Sequence, residues 1–211
     1  MPRVSRKGRF ITLEGVDGAG KSSHLPGIAE RLRGAGREVV LTREPGGTPF
    51  AEKLRALVLA EDMDPTAETL LMFAARADHL RRLILPALER GAWVVCDRFT
   101  DATVAYQGGG KGVPKALIDQ LAGAVHPDLA PDRTLVFDCG YDVSRARLNA
   151  SGRPLDRFED RERAFHERVR AAYQELARRD PDRIRLIDGS KSAEDVQKLV
   201  HVAVDEFLST L

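Results

Sequence analysis

The stretch GVDGAGKS, from Gly15 to Ser22, matches the pattern G-x-x-x-x-G-K-[ST] of phosphate-binding loops. A strand-like run, RFITLE, precedes it, and a helical pattern begins at Lys21. The glycines allow backbone N–H groups to face phosphate oxygens, and the following helix adds its positive end. Lys21 is expected to reach the β- and γ-phosphates, and Ser22 is expected to hold Mg²⁺. The stretch therefore predicts binding of a nucleoside triphosphate, although Asp17 places a carboxylate inside a loop built for anions.

Short apolar runs alternate with longer helical patterns along the rest of the chain. The runs are rich in Val, Ile, Leu and Phe, as in strands that are covered on both faces. The predicted strands are Arg9–Glu14, Glu38–Thr42, Ala92–Asp97, Arg133–Asp138 and Arg183–Asp188. The predicted helices are Lys21–Arg33, Pro65–Arg90 (kinked or divided at Pro86), Pro114–Ala124, Val143–Ala150, Glu159–Arg179 and Ala193–Leu208. This alternation predicts an α/β fold with a mainly parallel sheet flanked by helices, and ligands at the carboxyl ends of the strands.

Length, charge and cysteine content narrow the class of protein. The chain has 211 residues and 43% hydrophobic content, and one domain over residues 1–211 is expected. Basic and acidic residues number 33 and 32, which argues against a general nucleic-acid binder. Cys96 and Cys139 lie in apolar runs, so reduced, buried thiols in a cytoplasmic protein are expected. The basic stretch 1–8 is expected to be a frayed tail. Because no long apolar run follows it, neither a signal peptide nor a membrane anchor is predicted.

Two acidic residues are candidates for the carboxylate that helps to hold Mg²⁺. Asp97 and Asp138 each end a predicted strand. Asp138 precedes an ordinary helix start, where capping is an equally good role for it. Asp97 is followed at once by Arg98 and then by a loop rich in glycine and polar residues. Asp97 is therefore the favoured partner of Ser22.

The phosphate loop alone does not separate a switch, a motor and a kinase. A GTPase switch requires an Asn-Lys-x-Asp element, and Asn149 is the only asparagine in the chain. A motor would carry more coupling machinery than this chain offers. A small kinase remains, and its acceptor pocket is expected from Thr42–Arg55, Leu70–Leu80 and Asp97–Gly112. Their arginines suit an acceptor that already carries phosphate, because the guanidinium fork matches phosphate oxygens.

Four motifs carry a resemblance to a known family. They are EGVDGAGK at Glu14–Lys21, REPGGT at Arg43–Thr48, the segment from DRF to AYQG at Asp97–Gly108, and LDRFE at Leu155–Glu159. Along nearly its whole length the chain resembles bacterial thymidylate kinases. The resemblance implies a five-stranded P-loop nucleoside-monophosphate-kinase fold, with ATP and dTMP as substrates and Mg²⁺ as cofactor. It also implies a supply of dTDP for dTTP synthesis, and a homodimer for which the helix Pro65–Arg90 is a candidate surface.

The resemblance also implies roles for single residues. Asp17 would face the sugar of the acceptor near its 3′-hydroxyl, Arg98 would hold the acceptor phosphate, and Arg76 would bind the thymine edge, with Phe73 or Met72 against the ring. Tyr106 would lie where a ribose 2′-hydroxyl falls. The dTMP-binding set is Asp17, Glu44, Pro45, Arg55, Met72, Phe73, Arg76, Arg98, Thr103, Tyr106 and Gln107. The ATP-binding set is Gly15, Val16, Asp17, Gly18, Ala19, Gly20, Lys21, Ser22, Ser23, Arg145 and Arg147, and the catalytic set is Lys21, Asp97, Arg98 and Arg153.

The catalytic cation over the γ-phosphate is expected from a lid at about 145–158. Some members of the family place an arginine in the phosphate loop, but this chain has Gly18 there. Arg153 is the first candidate in the lid, and Arg157 is its rival. Arg145 or Arg147 is expected against adenine, and the turn IDGSKS at Ile187–Ser192 is expected to line the adenine site.

Two other functions compete with this interpretation. A deoxynucleoside kinase acting on thymidine would use Glu44 as the base on a 5′-hydroxyl. Such an acceptor would leave Arg55 and Arg98 without a phosphate to bind. A regulator that binds ATP without phosphoryl transfer would keep the phosphate loop but would not need Arg98 and the lid arginines.

Overall fold

The computed structural model of the protein describes residues 7–150, 152, 154, 156–159 and 162–210. Its core is a five-stranded parallel sheet in the order β2-β3-β1-β4-β5. The strands are β1 (Phe10–Gly15), β2 (Val39–Arg43), β3 (Trp93–Asp97), β4 (Arg133–Asp138) and β5 (Ile184–Asp188). The predicted α/β fold with a parallel sheet flanked by helices is confirmed.

Helices cover both faces of this sheet. They are α1 (Lys21–Gly34), α2 (Pro49–Ala60), α3 (Pro65–His79), α4 (Leu85–Glu89), α5 (Thr100–Thr103), α6 (Lys115–Val125), α7 (Tyr141–Ala150), α8 (Arg163–Arg179) and α9 (Ala193–Ser209). The starts of α2 and α3 follow ordinary capping rules, because Thr48 and Asp64 accept backbone N–H groups and a proline occupies the first helical position of each. No helix within the described residues is long and apolar enough to cross a membrane.

The predicted helix Pro65–Arg90 is divided, as the sequence indicated, but the division precedes Pro86. A π-helical turn at Leu80–Ile84 separates α3 from α4. Proline has no backbone N–H and its ring clashes with the carbonyl four residues earlier, so Pro86 disfavours a regular helix through this point. The wider turn is a recognised solution to an irregularity of this kind.

Two predicted boundaries after β3 are wrong. The segment after Arg98 is not a loop, because α5 continues into a π-helical segment at Val104–Gly110. Gly109 and Gly110 lie against α8, where a Cβ atom on Gly109 would come within 2.7 Å of the Ala172 Cβ. The helix α8 begins at Arg163 rather than Glu159, because Asp156 accepts the N–H groups of residues 158 and 159 and closes a turn there.

The strands alternate their side chains between two apolar cores. Ile11 and Leu13 of β1 pack towards α1, α8 and α9, whereas Phe10 packs with residues of the π-helical turn and α4. In register, Leu13 of β1 and Arg43 of β2 both lie beside Asp97 of β3. The residues that follow these three strands therefore meet at one edge of the sheet.

Candidate active site

The backbone conformation of the phosphate loop depends on its glycines and on its lysine. Gly15, Gly18 and Gly20 have positive φ values of 129°, 75° and 97°, which favour glycine. A Cβ atom on Gly15 would also come within 2.3 Å of the backbone oxygen of Phe137. The Lys21 Nζ donates to the backbone oxygens of Gly15 and Val16, both at 2.9 Å. Its charge is therefore satisfied by weak neutral acceptors that an anion can replace.

Ser22 and Asp97 lie in contact beside this loop. The Ser22 Oγ donates to Asp97 Oδ2 at 2.9 Å, and Asp97 Oδ1 is buried without a partner among the described residues. Asp138, the other candidate carboxylate, instead accepts two hydrogen bonds from Arg170, at 2.6 and 2.9 Å, and one from Gln174 at 3.1 Å. The structure therefore brings Asp97 to the phosphate loop and ties Asp138 to α8.

Asp17 lies in a tight polar cluster at the mouth of the loop. Its carboxylate accepts from the Arg98 guanidinium and from the Tyr106 hydroxyl, the latter at 2.7 Å. Burial acts to raise the pKa of Asp17, but the positive charges of Arg98 and Lys21 hold it below its ordinary value. Arg98 has a φ of 74°, in the left-handed region that non-glycine residues rarely adopt. Strain of this kind clusters at functional sites, where the surrounding structure enforces it.

Glu14 supports the cluster of Asp17, Arg98 and Tyr106 from within the core. It is fully buried and accepts from the backbone N–H of Phe99 at 2.7 Å and from the Tyr173 hydroxyl at 2.8 Å. Burial, together with the nearby charge of Asp101, raises the pKa of Glu14 to about 8. The Tyr173 hydroxyl also accepts from Arg98 at 3.3 Å, so Glu14 acts on Arg98 through Tyr173.

A cavity of about 90 Å³, the predicted acceptor cavity, lies beside the phosphate loop. Its walls come from the loop after β2, from α2, α3 and α5, from the π-helical segment and from the turn before α8. The lining residues are Asp17, Glu44, Pro45, Arg55, Leu59, Met72, Arg76, Arg98, Phe99, Ala102, Thr103, Tyr106, Gln107, Asp156 and Phe158. Five of them also line the cavity over the phosphate loop: Asp17, Glu44, Arg55, Arg98 and Asp156. The two cavities therefore share one wall.

The far end of this acceptor cavity is built around Arg76, which is 3% exposed. Arg76 donates to Glu44 at 2.7 Å and to the Thr103 hydroxyl at 3.1 Å, while its Nη1 is buried without a partner among the described residues. The other oxygen of Glu44 lies 3.0 Å from His79 Nδ1. Burial acts to raise the pKa of Glu44, but Arg76 and His79 hold it below its ordinary value. A carboxylate held in this way is a poor base.

Met72 and Phe73 were alternative candidates for the side chain that covers a base, and the structure separates them. Met72 lines the acceptor cavity. Phe73 is 2% exposed, stacks on His126 with ring centroids 6.3 Å apart, and does not line the cavity. The Arg76 guanidinium lies 4.7 Å from the centre of the Phe73 ring. Phe73 therefore supports Arg76 from the core, and its predicted place in the binding set is corrected.

The remaining predicted acceptor residues lie together at the same cavity. The Arg55 guanidinium donates to the backbone oxygen of Pro45 at 3.1 Å; both residues line the acceptor cavity, and Arg55 also lines the cavity over the phosphate loop. Thr103, Tyr106 and Gln107 also line this cavity. Sequence reasoning missed Leu59, Phe99, Ala102, Asp156 and Phe158 as lining residues. Phe99 and Phe158 lie inside motifs that had been singled out for their charged neighbours, so the signal was present.

The lid arginines take different positions. Arg147 donates to the backbone oxygens of Gly189 at 2.6 Å and Lys191 at 3.0 Å, beside Ala19 of the phosphate loop. Arg145 donates to the backbone oxygen of Glu159 at 3.1 Å. Arg147 rather than Arg145 therefore contacts the turn predicted to line the adenine site.

Arg153 and Arg157 were the alternative catalytic cations. Arg157 donates to the carboxylate of Glu68 on α3 and to the backbone oxygen of Val58 on α2. It is therefore tied to the helices at the far end of the acceptor cavity, around Arg76, which is the predicted base end. Arg153 lies outside the described residues. Of the other predicted ATP-binding residues, Gly18, Gly20 and Ser23 line the phosphate cavity, and the backbone oxygens of Val16 and Ala19 accept hydrogen bonds within the loop and from Arg147.

Comparison with known proteins gives one consistent result. The family model described as thymidylate kinase matches residues 13–200. The thymidylate kinase of Bordetella pertussis is 58% identical over 98% of this chain and 99% of its own. That of Methylobacillus flagellatus is 55% identical over 95% of this chain and 98% of its own. That of Nitrosomonas europaea is 51% identical over 98% of this chain and 96% of its own. The crystal structure of thymidylate kinase from Ehrlichia chaffeensis is 35% identical, with a TM-score of 0.74 over 95% of this chain and 98% of that chain.

Proposed function

This chain belongs to the thymidylate kinase family, and we propose on that basis that it transfers the γ-phosphoryl group of ATP to dTMP, producing ADP and dTDP for dTTP synthesis. One observation carries the proposal at the level of geometry. The phosphate-loop cavity and the acceptor cavity share a wall that contains Arg55 and Arg98. A nucleoside monophosphate in the second cavity would thus present its phosphate to a triphosphate in the first.

The acceptor needs positioning rather than deprotonation. A phosphate monoester has a second pKa near 6, so at pH 7 it is already an anionic nucleophile. Glu44 is engaged by Arg76 and His79 through both oxygens, which argues against its use as a base on a 5′-hydroxyl. The deoxynucleoside kinase alternative is therefore not favoured.

Arg98 is assigned to the acceptor phosphate. Its guanidinium lies at the shared wall and is already oriented by Asp17, Tyr106 and Tyr173. A fixed guanidinium fork binds phosphate oxygens without first losing side-chain freedom. Asp17 lines both cavities, which supports its prediction as the residue that faces the acceptor sugar. In the same way, the position of Tyr106 beside Asp17 supports its role at the 2′ position.

Lys21 is assigned to the β- and γ-phosphates and would exchange its backbone acceptors for phosphate oxygens. Ser22 contacts Asp97, and one buried oxygen of Asp97 has no partner within the described part of the chain; both features fit a divalent cation with oxygen ligands. Ser22 and Asp97 would hold Mg²⁺ here. Bound Mg²⁺ would neutralise charge on the transferred phosphate.

At the base end, Arg76 supplies donors towards the cavity and Met72 supplies an apolar surface. The Nη1 of Arg76, which has no partner among the residues that the structure describes, suits a carbonyl oxygen on a base edge. Met72 and Phe99 both line the cavity and suit the faces of a flat ring. The segment 145–158 is assigned as the lid, with Arg153 as the cation for the γ-phosphate and Arg147 at the adenine site.

A homodimer and a cytoplasmic location complete the proposal. Phe50 and Leu57 of α2 and Leu70 of α3 are large apolar side chains exposed by 49%, 44% and 49%. A second copy that covers these helices would remove this surface from water. Both cysteines are free and buried, which is the usual state in a reducing compartment.

The test is ADP release from ATP and Mg²⁺ with dTMP, dUMP, UMP, dCMP, AMP and thymidine as acceptors. We expect strong turnover with dTMP and little with UMP or thymidine. Turnover with thymidine but not dTMP would restore Glu44 as a base and overturn the proposal. Tight ATP binding without turnover on any acceptor would favour a regulator instead.

A further inference from the structure

A buried carboxylate beneath the base end of the acceptor cavity has no role in the reaction described so far. Glu68 is fully buried on α3, four residues before Met72 and eight before Arg76, so the three lie on one face of the helix. We propose that Glu68 is a positioning residue that fixes the orientation of the Gln107 amide and thereby selects thymine or uracil over cytosine. The inference rests on the proposed function, because it concerns the acceptor of that reaction.

Hydrogen bonding to Glu68 determines which end of the Gln107 amide faces the cavity. The Gln107 Nε2 donates to Glu68 Oε1 at 2.8 Å. An ionised carboxylate can only accept hydrogen bonds, so the amide nitrogen must lie on the side of Glu68. The carbonyl oxygen of Gln107 is then directed away from Glu68, and Gln107 lines the acceptor cavity.

Two cations keep the negative charge of Glu68 in place. Lys111 donates to Glu68 Oε2 at 2.6 Å, and the Arg157 guanidinium donates to the same oxygen. A buried carboxylate is retained as an ion when charged donors of this kind compensate it. The two oxygens of Glu68 therefore have separate tasks, since Oε1 orients Gln107 and Oε2 receives the compensating charge.

The resulting wall has a defined order of donors and acceptors. Arg76, which can only donate, contacts Thr103 at the end of α5, and Gln107 lies four residues later, where α5 continues into the π-helical segment. The cavity thus presents a donor from Arg76 and, from the same wall, the carbonyl acceptor of Gln107. Thymine and uracil offer O4 as an acceptor beside N3–H as a donor, whereas cytosine offers the reverse at both positions. The order on the wall matches the first two bases and opposes cytosine.

The decisive experiment compares dUMP with dCMP, which lack the 5-methyl group and differ only at this edge of the ring. A Glu68→Gln side chain keeps the shape but can turn its own NH₂ group towards Gln107. Gln107 is then free to present its NH₂ to the cavity. We expect the dUMP-to-dCMP ratio of kcat/KM to fall by about tenfold or more, with a rise in kcat/KM for dCMP itself. The dTMP-to-dUMP ratio, which reports on the methyl group, should stay unchanged.

A structural role alone gives a different pattern. Lys111→Met is the matched control, because it removes a contact of Glu68 Oε2 while leaving the contact with Gln107. It should lower the free energy of unfolding without changing the dUMP-to-dCMP ratio. If Glu68→Gln lowers kcat/KM for all three acceptors equally, or if Lys111→Met shifts the ratio as much, the positioning role is overturned.

A second variant keeps the inference testable if Glu68→Gln fails to fold. Gln107→Met is of similar length and has no amide, so it should lower the dUMP-to-dCMP ratio while Glu68 stays intact. In the Gln107→Met background, Glu68→Gln should produce no further change in the ratio. Discrimination unaffected by Gln107→Met would overturn the inference alone, whereas a wild-type protein inactive on dTMP would overturn the proposed function as well.

Discussion

The phosphate end and the base end of the site use the same kinds of charged side chain in opposite ways. At the phosphate end, Lys21 donates to backbone oxygens of its own loop, and Asp97 keeps an oxygen without a partner among the described residues. At the base end, Glu44 and Glu68 are buried and paired through both oxygens with side chains from several elements. The first arrangement can exchange partners when ligands bind, and the second stays fixed. Substitutions at the phosphate end should therefore lower the rate, and those at the base end should change stability and acceptor choice.

Substitutions of Arg153 and Arg157 should produce the largest difference between the two ends of the site. Arg153→Ala should lower kcat by about 10³–10⁵, with a modest change in dTMP affinity, because a cation that acts on the transferred phosphate serves mainly the transition state. Arg157→Ala should mainly lower the free energy of unfolding and should change kcat little, since Arg157 is bound to Glu68. Single-turnover rates and dTMP titrations of both variants measure the effects on kcat and dTMP affinity, and urea unfolding measures the change in stability. Near-normal turnover for Arg153→Ala, with a severe loss for Arg157→Ala, would exchange the two roles.

Glu14 is an exception to the contrast between the two ends, because it is a fully buried acid that lies at the phosphate end. Its folded-state pKa is about 8, against 4.5 for an ordinary glutamate, so the folded protein keeps a proton that the unfolded chain loses. Its contribution to stability is full below pH 4.5 and is lost as the pH rises towards 8. The gap corresponds to about 3–5 kcal/mol.

Urea unfolding between pH 5 and pH 8.5 measures this contribution. Wild-type stability should fall across the range, and Glu14→Gln should flatten the fall because its amide does not titrate. Tyr173→Phe removes the hydroxyl contact with Glu14 and serves as the matched variant that keeps the acid. Equal slopes for the wild type and Glu14→Gln would show that Glu14 is ionised in the folded state.

The next substitution tests whether the site needs the shape of the Arg98 side chain or only its charge. Arg98→Lys keeps the positive charge but loses the fork that contacts Asp17, Tyr106 and Tyr173. We expect kcat/KM for dTMP to fall by about 10², or about 2–3 kcal/mol, the value of a charged hydrogen bond. Stability should change little. A lysine variant with wild-type kcat/KM would mean that charge alone is needed at this wall.

Met72 and Phe73 provide the smallest test, at the base end. Met72→Ala should raise the KM for dTMP by about three- to tenfold, because it removes apolar contact with the base. Phe73→Leu should leave KM unchanged and cost about 1 kcal/mol of unfolding free energy, since Phe73 packs in the core. A rise in KM with Phe73→Leu alone would return Phe73 to the binding set.

The phosphate end could be predicted from the sequence because its parts are local. The loop, its lysine and its serine lie within eight consecutive residues, and the apolar runs located all five strands. The base end depends on contacts between distant residues. Arg157 lies 89 positions after Glu68, and no local pattern indicated that they touch. The choice between Met72 and Phe73 likewise depended on how α3 is rotated, which neighbouring elements decide.

The glycines of the π-helical segment have a consequence for how this enzyme can vary. A Cβ atom on Gly109 would come within 2.7 Å of the Ala172 Cβ, and one on Gly110 within 2.5 Å of the Phe165 ring. A survey of tolerated substitutions should therefore find both positions closed even to alanine, although neither lines the acceptor cavity. Insertions or deletions there would also shift Tyr106 and Gln107 relative to the acceptor. Substitution at Gly109 and Gly110 is thus constrained by the spacing between the π-helical segment and α8, and new acceptor preferences must arise at the positions that line the cavity, such as Gln107.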